Sequence, residues 1–113
     1  MNETLTSKQI VENREKWAKA LESGEYQQCQ YTMFDGKGHC CLGVAAVVLL
    51  NETPRNGSGK PGDLVNYQLY ASVENALGLP LHLGRSKFTD LNDNEKRSFK
   101  EIAEEVRKLP PPL

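Results

Sequence analysis

Three cysteines and two histidines are the residues of this chain with the most obvious chemistry. Three of them are adjacent, in His39-Cys40-Cys41, which runs directly into the apolar segment 42–50. Thiolate and imidazole groups bind zinc, but adjacent side chains of an extended chain point to opposite faces, and there is no C-x-x-C pair. We therefore expect at least one of Cys40 and Cys41 to be a small core residue, and we predict no metal site.

The sequence gives little more support to a catalytic thiol or to a catalytic pair of carboxylates than it gives to a zinc site. Neighbours such as His39 and Cys40 rarely form a catalytic dyad, and the pattern does not place His82 in the fold. Asp93 is explained by a helix start, where a negative side chain faces the positive end of the helix dipole. Since no self-contained catalytic site is present, we predict a protein that is not an enzyme and that binds no cofactor.

Length and charge limit the kinds of protein that this chain can be. With 113 residues it can bury one modest core, so we expect a single domain over residues 1–113. Fourteen basic and fifteen acidic residues give a net charge of −1, which argues against general binding of DNA or RNA. The run 42–50 is too short to span a membrane, and the polar N-terminus carries no export signal. These features and the odd number of cysteines indicate reduced thiols in a cytoplasm.

Helical periodicity marks three or four segments. The capping-box order Thr6-Ser7-Lys8-Gln9 and the apolar spacing after it predict a first helix over about residues 7–23. The run 42–50 favours a buried helix that ends at Asn51, and a further helix is predicted before Gly78. The last helix is predicted to begin at Asn92 or Asp93, with this buried stripe: Phe99, Ile102, Ala103 and Val106.

Between the first two helices the pattern alternates with a period of two. Cys29, Tyr31 and Met33 fall on one face of residues 26–34, which predicts a half-buried strand. The turn signal Asp35-Gly36-Lys37-Gly38 follows, after which the chain returns towards the apolar run. We therefore predict an α+β fold, in which three to four helices pack on a small antiparallel β-hairpin or sheet.

Two segments lack periodicity. Residues 51–62 are rich in glycine and proline and are expected to form a surface loop. Within this loop, Gly57-Ser58-Gly59-Lys60 has glycines like those of a phosphate loop but lacks the flanking strand and helix. Residues 81–91 are expected to be irregular or to contain a short strand around Lys87-Phe88.

The remaining candidates for function are binding residues. Aromatic rings stack on bases, amides read base edges and cations bind phosphate, so together they suit a nucleotide pocket. We predict base contacts from Tyr26, Gln28 and Tyr31, and contacts to phosphate or ribose from Arg85, Lys87 and Asn92. The alternative stays open that the tyrosines are ordinary half-buried residues and that the cations only keep the loops solvated.

Cys40-Cys41-Leu42-Gly43-Val44 and Leu91-Asn92-Asp93 form a specific pair of motifs, with Trp17, Leu77-Gly78-Leu79 and Ser98-Phe99 in order around them. Over most of the chain after residue 10, this order resembles a widespread family of small proteins encoded by bacteriophages and prophages. Ala45-Ala46 departs from that family, whose members more often have Leu-Cys there. The departure weakens any argument from a cysteine cluster.

The resemblance implies a phage accessory protein in the host cytoplasm. Small phage proteins often counter host defences, and one strategy is a sponge, an oligomer that sequesters the nucleotide signal of a CBASS or Thoeris system without cleaving it. We therefore predict a homo-oligomeric sponge for a cyclic di- or trinucleotide or a cyclic ADP-ribose-type signal. The alternatives are a phage protein that inhibits a host enzyme by binding it and, third, a small nucleotide hydrolase or zinc module.

Overall fold

This computed structural model describes residues 5–54, 64–79 and 83–110 of the protein, which contain five α-helices and one π-helical turn. The helices are α1 (Ser7–Glu22), α2 (Cys41–Leu50), α3 (Leu64–Ala76), α4 (Leu83–Thr89) and α5 (Phe99–Arg107). The π-helix, Asp90–Asn94, follows α4 directly. Across these residues no helix is both long enough and apolar enough to span a lipid bilayer.

The bounds of α1 agree with the sequence prediction, because its end signals are local. Thr6 Oγ1 accepts the backbone N–H of Gln9 (3.1 Å), and Gln9 Oε1 accepts the backbone N–H of Thr6 (2.8 Å), which completes the capping box. After Ser23, Gly24 adopts a φ of 79° and turns the chain away. The first predicted helix is therefore confirmed.

Side chains of α1 also cap the end of α3. Asn13 Nδ2 donates to the carbonyl of Ala76 (2.8 Å), and Arg14 donates to the carbonyls of Leu77 (2.8 Å) and Gly78 (3.3 Å). These carbonyls have no partner within α3, and a positive charge is favourable at this end of a helix. Arg14, which interrupts the apolar pattern of α1, thus joins two helices.

The apolar helix α2 lies at the centre of the core. Its residues 41–46 are all buried; α1, α3 and α4 pack on it, and α5 packs along α1. Trp17 of α1 lies edge to face with Phe88 of α4, with 5.0 Å between ring centroids, and donates its indole N–H to the carbonyl of Cys41 (2.8 Å). The predicted choice of helix for the apolar run is confirmed, and so is the buried stripe of α5.

The predicted α+β fold is wrong, because the described residues contain no β-strand on which the helices could pack. Between α1 and α2 the chain makes two isolated β-bridges, in which His39 pairs with Gln28 and with Phe34. A strand over 26–34 is interrupted at Tyr31, whose φ of 67° lies in the left-handed region. Residues 26–39 instead form an irregular segment, called here the 26–39 loop.

The alternating pattern in the 26–39 loop has a different origin from strand pairing. Cys29 and Met33 are buried as their spacing predicts, but Tyr31 between them is 61% exposed. The predicted turn is present, since Asp35 Oδ1 accepts the backbone N–H groups of Lys37 (2.9 Å) and Gly38 (2.7 Å). The segment therefore buries Cys29 and Met33, together with Thr32, without becoming extended between them.

The start of the last helix also differs from the prediction. Asn92 and Asp93 lie in the π-helix and do not cap α5, which begins after Ser98. Ser98 forms a capping box with Glu101, in which Ser98 Oγ accepts the backbone N–H of Glu101 (3.2 Å). Asn92 and Glu95 have the same spacing, so the local pattern does not distinguish the two starts.

Of the two segments without periodicity in the sequence, one has a structure that differs from the prediction and the other lies mostly outside the described residues. Residues 83–89 form α4 instead of the predicted irregular connection or strand around Lys87-Phe88. Phe88 is buried against Trp17, so packing on the core favours a helix that the short local pattern does not show. Most of the predicted loop 51–62, with Gly57-Ser58-Gly59-Lys60, lies outside the described residues.

Gly43 of α2 lies so close to the 26–39 loop that a Cβ on it would be 2.3 Å from the carbonyl oxygen of Met33. We expect Gly43→Ala to lower the free energy of unfolding by about 3 kcal/mol, since the loop backbone cannot move aside. In the control, Gly24→Ala, the Cβ meets nothing within 4 Å but takes a φ of 79°, which costs about 1–2 kcal/mol. Urea unfolding compares the two variants, and an equal or smaller loss for Gly43→Ala would contradict this packing.

Candidate functional site

The side chain of Asn92 links the π-helix to the start of α2 and to the 26–39 loop. Asn92 is fully buried, and its Nδ2 donates to the carbonyl of Cys29 (2.8 Å) and to Asp93 Oδ1 (2.8 Å). Its Oδ1 accepts the backbone N–H of Cys41 (3.1 Å) and a hydrogen bond from Gln28 Nε2 (3.0 Å). A carboxamide offers two donors and two lone pairs on its acceptor, so the hydrogen-bonding capacity of Asn92 is fully used.

The π-helix places three consecutive residues, Leu91, Asn92 and Asp93, in buried positions. The backbone N–H of Glu95 donates to the carbonyl of Asp90 (2.9 Å), the five-residue spacing of a π-helical turn. Single π-helical turns are rare and occur frequently at functional sites. Because of this turn, the amide of Asn92 and the carboxylate of Asp93 both contact the 26–39 loop.

Asp93 fixes the tip of the 26–39 loop. Its Oδ1 accepts the backbone N–H of Tyr31 (3.0 Å), and two residues further on the carbonyl of Met33 accepts the N–H of Cys40 (3.2 Å). A residue other than glycine in the left-handed region costs about 1–2 kcal/mol, so these contacts must offset that cost at Tyr31. Strained backbone of this kind clusters at binding sites. We call residues 29–33 the Tyr31 loop and treat it as the candidate functional site.

The three thiols are held in their neutral form. Burial raises the pKa of Cys29 to about 11 and that of Cys40 to about 12, and it raises the pKa of Cys41 well above its usual value. Cys40 Sγ accepts the backbone N–H of Gly43 (3.4 Å), so this thiol caps α2. The thiolate is the nucleophilic form, and none of these cysteines is poised to supply it.

His39 packs as an aromatic ring. Its centroid lies 4.7 Å from that of Phe34 and 5.8 Å from that of Tyr26, and its Nε2 is buried without a hydrogen-bond partner in the part of the chain that is described. Burial lowers the pKa of His39, and the nearby Asp35 opposes that change only partly. The imidazole is therefore neutral at pH 7. Of the described residues, no three His, Cys, Asp or Glu side chains are grouped so that they could hold a metal ion.

Four of the six predicted binding residues come together around the Tyr31 loop. The side chain of Asn92 is fully buried and cannot contact a ligand. Gln28 Nε2 already donates to Asn92 Oδ1 and to the carbonyl of Arg97 (2.7 Å). Tyr26 is half-buried against His39. Tyr31 alone of the four is mainly exposed.

The other two predicted binding residues lie on α4. Lys87 is exposed, with its Nζ 5.7 Å from the ring centroid of Phe88. The side chain of Arg85 lies outside what the structure describes. No described contact joins Lys87 to the Tyr31 loop, so the structure does not gather the six predicted residues into one pocket.

The sequence pattern does not point to Arg97, although the structure places its backbone beside Gln28. Its side chain is exposed and pairs with Glu95 (3.2 Å) and Glu101 (3.8 Å). The capping box at Ser98 is the signal that would have placed residues 94–97 in a turn before α5. This turn adds an exposed cation next to the segment that carries Tyr31.

Residues 8–107 match the model of a family described as a domain of unknown function, DUF8296. The chain belongs to this family. The DUF8296 match runs from the first turn of α1 to the last residue of α5 and so contains the π-helix and the Tyr31 loop. No curated protein and no solved structure shows significant similarity to the chain. The description of the DUF8296 family assigns no activity.

Replacement of Asn92 by aspartate tests how much the buried amide stabilises the fold. Asn92→Asp removes both N–H donors and sets a second carboxylate against Asp93, so we expect a loss of about 3 kcal/mol in unfolding free energy. Asn94→Asp is the matched control, because Asn94 is exposed and donates to Asp90 Oδ1 (2.7 Å); its expected loss is below about 1 kcal/mol. Urea titration measures both, and similar losses would show that the amide has no special role.

The burial and the raised pKa values of Cys29, Cys40 and Cys41 predict thiols that do not react in the folded protein. We expect iodoacetamide at pH 8 to alkylate none of them within an hour, because almost no thiolate is present or accessible. In concentrated urea all three should be alkylated, as counted by mass spectrometry. Rapid alkylation of Cys40 in the folded protein would restore it as a candidate nucleophile.

Proposed function

We propose that this protein is a non-catalytic phage accessory protein that acts by binding a host protein through the Tyr31 loop. The observation that carries the proposal is an exposed tyrosine on a left-handed backbone, which Asp93 and the loop contacts hold in place. Tyrosine is enriched among the residues that dominate binding energy at protein interfaces. A loop that is already ordered loses little conformational entropy on binding.

The proposed role in a phage depends on the family resemblance of two sequence motifs. These two motifs contact each other in the fold. Asn92 of the Leu-Asn-Asp motif accepts the backbone N–H of Cys41 in the Cys-Cys-Leu-Gly-Val motif. The neutral thiols support a binding role, because they offer no activated nucleophile for a nucleotide hydrolase. His39 supports it too, since its Nε2 is buried and its ring packs on Phe34 and Tyr26. The proposed place of action is the host cytoplasm.

The cyclic nucleotide sponge is the second candidate. In its favour, Gln28 donates to the backbone carbonyl of Arg97 and so joins the segment that carries the exposed Tyr31 to a turn that carries an exposed cation. Against it, a small-ligand pocket covers most of its ligand, whereas the side chain of Tyr31 is largely exposed. A sponge would therefore require a second copy of the chain to supply the other wall of the pocket.

Tyr31 and Val11, the exposed large apolar residues of the described chain, give a matched pair of variants. A photo-crosslinking benzoylphenylalanine at position 31 should capture a specific host protein in cells, and the same group at position 11 should not capture it. With the purified partner, we expect Tyr31→Ala to weaken binding at least about tenfold, as at an interface hot spot. Val11→Ala should leave the affinity unchanged, and melting temperatures should verify that both variants fold.

A thermal-shift panel of cyclic dinucleotides, cyclic trinucleotides and cyclic ADP-ribose isomers separates the second candidate from the first. A sponge predicts a higher melting temperature with one nucleotide, loss of that rise in Tyr31→Ala, and recovery of the nucleotide intact after heating. Recovery of a cleaved nucleotide would contradict both candidates. Absence of a crosslinked partner together with a flat panel would also reject both.

A further inference from the structure

A groove of about 240 Å³ lies between α1 and α5. It shares no residue with the Tyr31 loop or with the π-helix, and it is lined by Val11, Arg14, Glu15, Val106, Arg107 and Leu109. Three of these six residues are apolar, and Val11 is 51% exposed. The groove therefore combines apolar walls with charged groups.

Arg14 contributes a positive charge that no described carboxylate neutralises. Its Nε, Nη1 and Nη2 donate to the carbonyls of Leu77 (2.8 Å), Pro110 (2.8 Å) and Gly78 (3.3 Å), which are uncharged acceptors. A guanidinium carries five N–H donors, so two of them have no partner among the described residues. In the described ranges no carboxylate lies within 4.0 Å of it.

The other charges of the groove are already paired. Arg107 donates to both carboxylate oxygens of Glu15 (3.2 and 3.0 Å), and its Nη2 also donates to Glu22 (2.9 Å). These contacts lower the pKa of both glutamates, which keeps them ionised and bound to Arg107. Among the described residues, Arg14 is thus the cation of the groove that has no carboxylate partner.

The walls of the groove restrict the kind of anion. The backbone N–H and C=O groups within α1 and α5 are bonded inside these helices, so they offer few partners to the amides of an extended peptide. Buried peptide amides without partners are costly. A ligand with one charged end and an otherwise apolar body avoids that cost.

We propose that this groove binds a monocarboxylic acid with an apolar body, of the medium-chain fatty-acid type. Its carboxylate contacts the two remaining N–H donors of Arg14, and its hydrocarbon chain packs on Val11, Val106 and Leu109. This site is separate from the proposed host-protein contact at Tyr31, and neither depends on the other.

Calorimetric titration with decanoate, decanol and acetate tests the proposal on the full chain. We expect decanoate to bind with a stoichiometry of one, decanol to bind at least about tenfold more weakly, because it lacks the charge-assisted contact, and acetate not to bind. Equal affinity for decanoate and decanol would overturn the role of Arg14. Tighter binding of a short peptide with a C-terminal leucine carboxylate than of decanoate would overturn the choice of ligand.

Two substitutions at Val11 locate the site without disturbing Arg14, which also caps α3. Because Val11 is half exposed, Val11→Glu and Val11→Lys should both fold with unchanged melting temperatures. Val11→Glu should weaken decanoate binding at least about tenfold by charge repulsion, and Val11→Lys should preserve or strengthen it. Equal affinities for these two variants would place the acid elsewhere and reject the proposal. Tyr31→Ala should bind decanoate with the affinity of the unmodified chain. The decanoate test therefore remains valid even if the proposed host-protein contact at Tyr31 is wrong.

Discussion

The four hydrogen bonds of the Asn92 side chain are the interaction on which the described structure depends. They join three parts of the chain: the π-helix that carries Asn92, the start of α2 at Cys41, and the 26–39 loop at Gln28 and Cys29. A buried polar group that loses its partner costs about 1–3 kcal/mol. We therefore expect the four hydrogen bonds to form and break together. Since α2 is the centre of the core, one side chain connects core packing to the shape of an exposed loop.

The two motifs, Cys40-Cys41-Leu42-Gly43-Val44 and Leu91-Asn92-Asp93, are explained by this structural role. Cys40 caps α2 with its thiol, Gly43 leaves room for the backbone of Met33, and Asn92 binds both segments. None of these residues is exposed enough to contact a partner. Tyr31, which is exposed, lies outside both motifs. The motifs therefore identify the scaffold, and the proposed contact surface is the loop that the scaffold holds.

Sequence patterns predict the parts of this protein whose determinants are local. The first helix has its capping box and Gly24 within its own ends, and the stripe of α5 follows helical spacing. The 26–39 loop could not be predicted this way, because its partners are Asn92 and Asp93, more than 60 residues away in sequence. The sequence predicts Asn92 to be a ligand-binding residue, because nothing in the local pattern shows that this polar side chain is buried.

Amide hydrogen exchange measured by NMR tests directly whether the Asn92 and Asp93 contacts fix the Tyr31 loop. The amide of Tyr31, bonded to Asp93, and the amide of Cys41, bonded to Asn92, should exchange only through large-scale unfolding, with protection like that of α2. The amide of Lys37, which is bonded within an exposed turn, should exchange far faster and serves as the internal reference. Exchange of Tyr31 as fast as that of Lys37, with α2 still protected, would contradict the account.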